Sequence, residues 1–524
     1  MKYFTNAIMK YIKNAPMRNF IVFLLPALWI SACQTPEVEW ISTTADQLWA
    51  SQNESGILDN GEETEVGELV LEVNLDRKQQ TIEGFGSCFN ELGWTSLNKL
   101  PESEREAIMV ELFEPGTGAN FTICRMPVAA NDFSLKWYSY DETPGDFAME
   151  HFSIDNDKRT LIPFIKNALR YNPDLKIWAS PWSPPAWMKH NMHYASRSSA
   201  RMAAVLEQRA AAMRERGQGN DNPGMMERLR IMMDPNYQND LPPDREGHEG
   251  TNMFIMQEPY LEAYALYFTR FIQAYRQEGI DVFAVMPQNE FNSAQIFPSC
   301  CWTAAGLDEF IGNYLGPAME ELGVEVYFGT MERPTEELVD TILQDPLAGK
   351  YIKGVGFQWA GKDALPGIHA RYPDLELWQT EQECGDGQND WKGAMYSWNL
   401  MKQYLNNGVS VYEYWNTSLL KGGISRWGWA QNSLVVVDEI PGEYAYTYEY
   451  YMMKHASHFV LPGAKKLATK GYADALAFQN TDHSVIVILA NQTDEAMKVK
   501  IRIGDHVLTP TLEANSMNTL KFTA

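Results

Sequence analysis

The chain has 524 residues, 45% hydrophobic and 21% charged, enough for a large globular catalytic domain and a smaller companion. Its formal net charge of −25 leaves no Lys/Arg footprint for nucleic acid or an anionic membrane surface, so neither is expected as a partner. The 16 Trp and 25 Tyr lean toward carbohydrate, because sugar-binding clefts use flat aromatic faces.

Residues 1–33 read as a targeting segment and not as fold. Lys2, Lys10, Lys13 and Arg18 supply positive charge, and 20–30 is an apolar run of eleven residues, too short to span a bilayer. The run ends Ile30-Ser31-Ala32-Cys33, which resembles the lipobox of bacterial lipoproteins. That resemblance implies cleavage before Cys33, a lipid anchor on its thiol, and a place in the cell envelope on the periplasmic side or at the cell surface. Met17, directly before the apolar run, is an alternative start. The five remaining cysteines, at 88, 124, 300, 301 and 384, cannot all pair and read mostly as buried thiols; a vicinal Cys300–Cys301 disulfide stays open. No Cys/His spacing suits zinc, and no metal is expected.

Residues 34–65 are polar and suit a tether. Residues 68–81 alternate apolar and polar and read as a strand with no local hairpin partner, so the segment 66–82 is expected to join a sheet formed elsewhere. Strands then recur at 82–88, 121–126, 176–180, 282–286, 325–330, 352–359, 376–381 and 409–415. Helical patterns fall between them, among others at 102–113, 161–170, 260–278 and 304–321. Two glycines in the first of these strands, Gly84 and Gly86, point to close backbone approach. Eight alternations of strand and helix predict an α/β fold, a (β/α)8 TIM barrel, over 83–443. From 444 to 524 short strands at 476–479, 485–490, 498–503 and 518–522 predict a small β-sandwich domain, which the orphan strand near Val70 completes.

Two of the barrel strands carry chemistry. The run at 282–286 is stopped by Pro287 and delivers Asn289 and Glu290; the run at 375–381 delivers Glu381. A lone Glu at a strand end reads as a salt bridge. Two of them, about 90 residues apart, face each other across the mouth of a barrel, where such folds keep their active sites. Paired carboxylates are what glycoside hydrolysis needs, and they need no cofactor. The segment 191–255 is far longer than a usual connection between strand and helix. It reads either as a surface insertion or as a wall on the rim of the cleft.

Seven stretches together resemble glycoside hydrolase family 30, a family of glucosylceramidases and endo-β-1,6-glucanases. They are GFGSCFNELG at 84–93, RMPVAANDFS at 125–134, YSYDETPGD at 138–146, ASPWSPPAWMKHN at 179–191, QNE at 288–290, TE at 380–381 and YWN at 414–416. The resemblance runs from about residue 81 to the end of the chain. It implies a retaining mechanism, with Glu290 as acid/base, Asn289 on the sugar 2-OH and Glu381 as nucleophile. It places Glu91 where the family has an Asp that binds the sugar's far hydroxyls, and Arg125 near the nucleophile. It also makes Trp182, Trp359 and Trp415 substrate-binding aromatics. The strand-six motif departs from the family's His-Trp-Tyr: here it is Gln358-Trp359-Ala360, so the Tyr that would orient the nucleophile is missing. That argues against carrying over the ceramide substrate. Glu383, two residues past Glu381, is a rival carboxylate that lies beyond the strand end. The expected activity is a retaining β-glycosidase on polysaccharide or oligosaccharide, best an endo-β-1,6-glucanase. The alternatives are an exo-enzyme similar to glucosylceramidases or β-xylosidases, and a non-catalytic carbohydrate-binding lipoprotein. No protein partner is implied.

Overall fold

The computed structural model describes residues 36–53, 57–59, 69–215, 230–231 and 233–523. Cys33 and the leader before it lie outside the described residues. Eight parallel strands close a barrel in chain order: Gly84–Cys88, Ile123–Val128, Lys176–Pro181, Val282–Val285, Glu325–Met331, Ile352–Gln358, Glu376–Glu381 and Val409–Asn416. These strands are buried almost throughout, as continuous apolar runs flanked by helices should be. The close approach expected of the glycines is present: a Cβ on Gly86 would overlap the carbonyl oxygen of Ile123 on the next strand.

Helices wrap the outside. Glu258–Gln277 shows why: Leu261, Tyr264, Ala265, Phe268, Phe271, Ile272 and Tyr275 recur at helical spacing and form its buried face. Inside the barrel, Trp178, Met286, Tyr327, Trp378 and Val411 fill the lumen, with Tyr327 stacked on Trp378 at 3.9 Å. The lumen is therefore a packed core, and the open end lies above the strands' C-termini.

The second domain is a curled sheet around its own core of Leu71, Val73, Leu467, Val487, Val499 and Leu520. Strand Leu69–Thr81 sits inside it, between Lys465–Gly471 and Met497–Ile503. Two expectations need correction here. Within the supposed tether, Glu37–Thr43 is a strand paired along its whole length with Ser516–Thr523, and it buries Val38, Trp40 and Ile41. The sandwich strands also resume only at Lys465. Residues 444–446 belong to a three-stranded sheet (Ser418–Leu420, Val435–Asp438, Glu443–Tyr446), and Tyr448–Ser457 is a helix capped by Thr447. The tyrosine-rich sequence there favours strands, but the cap and the packing against Trp391–Asn406 decide for helix.

Among the described residues no helix is long and apolar enough to cross a membrane, and no His, Cys, Asp and Glu cluster could hold a metal ion. Cys88, Cys124, Cys300, Cys301 and Cys384 are all buried free thiols.

Candidate active site

A cavity of about 280 Å³ opens at the C-terminal end of the barrel, lined by Asp132, Glu290, Gln295, Phe297, Glu332, Trp359, Glu381, Gly385, Trp429, Ala430 and Gln431. A larger one, about 480 Å³, lies at the opposite end beside Glu83, Glu376 and Ser410. Barrels of this kind keep their chemistry at the C-terminal face, so the smaller cavity is the candidate site.

Glu381 ends its strand and enters the cavity from one side. Glu290 enters from the other, on the turn that follows the fourth strand, with its backbone in the left-handed region at φ 48°. One atom joins them. Gln358 Nε2 lies 3.2 Å from Glu290 Oε1 and 3.1 Å from Glu381 Oε2. The two carboxylate oxygens are therefore no further apart than those two contacts laid end to end. The Gln358 amide is held in this sense by Thr380, whose hydroxyl donates to Gln358 Oε1 at 3.0 Å.

The question of what orients Glu381 without the missing Tyr has a direct answer. Arg125 Nη1 donates to Oε2 at 3.0 Å, and the Trp359 indole donates to Oε1 at 3.0 Å. Trp359 reaches this position from a left-handed backbone, φ 49°, in the first residue past the sixth strand. Arg125 is fully buried and has no slack. It donates to Ser180 Oγ, to Thr380 O and to Asn289 Oδ1, the last at 2.6 Å, and its guanidinium lies 4.3 Å from the Trp182 ring centre. Trp182 in turn stacks on Trp415 at 5.2 Å.

Burial pushes both glutamates upward. Around Glu290 the charges of Glu381, Glu332 and Asp132 push the same way, and the carboxyl stands well above its ordinary range. Around Glu381, Arg125, Trp359 and Gln358 all favour the charged form and draw it back. The surroundings of the pair thus favour the proton on Glu290 and the negative charge on Glu381.

Of the residues expected from sequence, Glu290, Glu381 and Trp359 line the cavity. Arg125, Asn289, Trp182 and Trp415 lie directly beneath it, packed on one another and not in the lining. Glu91 is a correction. Its Oε2 accepts from the Leu135 amide at 3.0 Å, and its Oε1 from Asn156 and Thr160 at 2.9 and 3.0 Å, all away from the cavity. Asp132 lines the cavity and Glu91 does not. Asp132 is buried at the cavity wall, and its Oδ1 makes no hydrogen bond among the described residues. Burial and the charge of Glu381 push its carboxyl up. Asp132 stands inside the RMPVAANDFS stretch, so its signal was present. Glu332, just past the fifth strand, is a third strand-end carboxylate of the kind sought. Trp429, whose buried indole N–H has no partner among the described residues, carried no signal in the chain. Glu383 is held elsewhere, by Lys362 and Tyr396 at 2.6 Å each. The long insertion sends no described side chain into the cavity; it stands behind the loop that follows Glu290.

A model of the glycosyl hydrolase family 30 TIM-barrel domain matches residues 82–204 and 246–460, and one of the family's beta sandwich domain matches 463–520. The chain belongs to glycoside hydrolase family 30. It is thus a glycoside hydrolase with a carbohydrate substrate. The break in the match, 205–245, falls inside the insertion. Relatives carry different activities. An endo-1,6-beta-D-glucanase of Neurospora crassa is 25% identical over 472 residues, 86% of this chain and 84% of its own. Lysosomal acid glucosylceramidase of Mus musculus is 24% identical over 465 residues, 83% and 80% of the two chains. The solved structure of an endo-beta1,6-glucanase superposes with a TM-score of 0.73 at 23% identity, covering 93% of this chain and all of that one.

Proposed function

We propose that the protein is a retaining endo-β-1,6-glucanase working by double displacement. The observation that carries the mechanism is the single Gln358 nitrogen touching both carboxylates. A retaining pair sits roughly 5 Å apart, whereas an inverting pair needs about 6.5–9.5 Å to seat a water between the groups. In the first step protonated Glu290 gives its proton to the glycosidic oxygen as that bond breaks. Ionised Glu381 attacks the anomeric carbon and forms a glycosyl ester. The ester removes the charge on Glu381 that held the proton on Glu290, so Glu290 becomes a base. It then takes a proton from water, which displaces Glu381 and restores the β-configuration. Asn289, its carbonyl oxygen occupied by three donors, turns its NH2 toward the sugar 2-OH. Asp132, with an unpartnered oxygen at the wall, takes the far hydroxyls.

The β-1,6 linkage and internal attack rest on the glucanase relatives. Against the glucosylceramidase reading stands the altered strand-six motif, in which Gln358 and Ala360 stand where that motif has His and Tyr. Product profiles on pustulan, laminarin, xylan and glucosylceramide test the substrate. Oligosaccharides of mixed length from pustulan are expected; release of glucose alone, or activity confined to glucosylceramide, overturns the reading. Anomeric NMR of the first product tests the mechanism, and an α-product sinks it. We also propose that Cys33 carries a lipid anchor in the cell envelope, on the strength of Ile30-Ser31-Ala32-Cys33. Cys33→Ser should release the protein from the membrane fraction or block processing, and unchanged fractionation counts against it.

A further inference from the structure

Glu290 has two oxygens, and they are held differently. Oε1 meets the Gln358 amide at 3.2 Å, inside the gap between the carboxylates. Oε2 accepts from Gln295 Nε2 at 3.0 Å. The same Gln295 nitrogen donates to Ser293 Oγ at 2.8 Å. The two protons of this amide thus go to Glu290 Oε2 and Ser293 Oγ.

Gln295 sits in the loop 293–299, and the 191–255 insertion grips that loop along its backbone. Glu249 Oε1 accepts from the Ala294 amide at 3.3 Å. The amides of Ser196 and Arg197 both donate to Gln295 O, at 3.1 and 2.8 Å. Asn239, buried to 2% exposure, donates to Ile296 O at 2.7 Å. Ala195 bridges Pro298, and the Ser299 amide donates to Tyr194 O at 3.0 Å. Five of the six residues 294–299 are thus held by one insertion, and Asn239 lies in the stretch that the family match skips.

We propose that Gln295 is a positioning residue for Glu290, and that the insertion serves to hold Gln295 in place. This rests on Glu290 being the acid/base. Gln358 Nε2 has two protons for three acceptors, and its shorter contacts are to Asn289 Oδ1 and Glu381 Oε2, 3.1 Å each, so the donor committed to Oε2 directs the acidic proton to Oε1, the oxygen that faces Glu381 and the scissile bond. When Glu290 later works as a base, the same donor stabilises its charge. Removing it should matter where proton donation matters, and little elsewhere.

The test compares an aryl β-glucoside with a poor leaving group, 4-methoxyphenyl, with the 2,4-dinitrophenyl glucoside, which leaves without a proton. Gln295→Ala should lower kcat/KM about 10- to 100-fold on the first and less than about 3-fold on the second. Loss of a donor to the carboxylate raises its pKa, so the basic limb of kcat/KM should move up by about half a unit to one unit. Asn239→Ala and Glu249→Gln should show the same leaving-group dependence at about 3-fold, and Asn239→Ala should have no effect on the Gln295→Ala background. Surface-exposed Glu249→Gln carries the test should Gln295→Ala not fold. Equal loss on both substrates, an unmoved basic limb, or a full Asn239→Ala effect in the double variant overturns the proposal. Glu290→Ala in the same assay separates the two ideas. If it loses both substrates equally, the acid/base reading itself falls; if it spares the dinitrophenyl glucoside while Gln295→Ala shows no leaving-group dependence, only this inference falls.

Discussion

The two sides of the cavity hold the same residue type in opposite surroundings. On the strand-seven side, Glu381 faces a guanidinium and an indole, both donating, both pinned. On the strand-four side, Glu290 faces two primary amides and three other carboxyls. Burial alone would protonate both. The fixed cation and donors at one side and the acidic neighbours at the other divide one proton between them in a definite sense. The lesson is that identity and depth do not assign acid and nucleophile; the partners do.

The bluntest way to break the comparison is to remove each carboxylate. Glu381→Ala should lower kcat on every substrate by on the order of 10⁴-fold or more, since no glycosyl ester forms. Glu290→Ala should cost about 10² to 10⁴ on natural sugars yet spare the first step on a dinitrophenyl glucoside. Azide should then speed its second step and yield a β-glycosyl azide. Identical defects in the two variants, or loss of activity in Glu383→Ala but not in Glu381→Ala, would void the assignment.

Asp132→Ala comes next. A buried acceptor lost from a sugar site should lower kcat/KM on aryl glucosides by roughly 100-fold. An aryl β-xyloside, which lacks the 6-CH2OH, should suffer less. Similar losses on both would show that Asp132 does not take that group.

A gentler intervention sharpens the strand-seven side. Trp359→Phe keeps the ring and deletes the N–H on Glu381 Oε1. The lost donor favoured the charged form, so the Glu381 pKa should rise and the acidic limb of kcat/KM should move to higher pH, with about a 10-fold loss at the acid side. An acidic limb that stays in place would mean that Arg125 and Gln358 suffice.

The smallest effect is expected behind the site, where another buried carboxylate has tyrosine donors. Asp157 accepts from Tyr138, Tyr140 and Tyr275 at 2.7, 2.6 and 2.5 Å, and burial raises it to about 6. Its folded value exceeds its unfolded one, so its stabilising contribution is complete below about pH 4 and is lost as pH rises through 6. Tyr275→Phe removes a donor to the charged form and pushes that value higher still. Its destabilisation should therefore be greater at pH 7.5 than at pH 5, by about 1 kcal/mol, measured by urea unfolding. Equal destabilisation at both pH values would count against a titrating Asp157.

Much of this architecture was legible in the chain. Short apolar runs ending in polar residues located all eight barrel strands, and their ends located Glu290 and Glu381. What escaped depends on direction and partnership. Glu91 and Asp132 stand in neighbouring loops, and only the fold shows that Glu91 turns to Leu135, Asn156 and Thr160 while Asp132 turns to the cavity. Glu37–Thr43 looked like linker because its partner strand lies at the far end of the sequence. Gln295 is a glutamine in a loop, and its meaning comes from the insertion packed behind it.

The pairing of Glu37–Thr43 with Ser516–Thr523, and the seating of Leu69–Thr81 between strands 465–471 and 497–503, has a consequence in time. A ribosome delivers the early strands first; among the described residues Glu37–Thr43 has only the two-residue strand Ala50–Ser51 as a local partner, and Leu69–Thr81 has none. Their full-length partners exist only after the whole barrel has been made, so these are contacts of very long range and slow to form. The barrel can close during synthesis, but the sandwich assembles only around the finished strand Ser516–Thr523. A chain halted anywhere before that strand carries bare strand edges, the feature that invites aggregation or degradation.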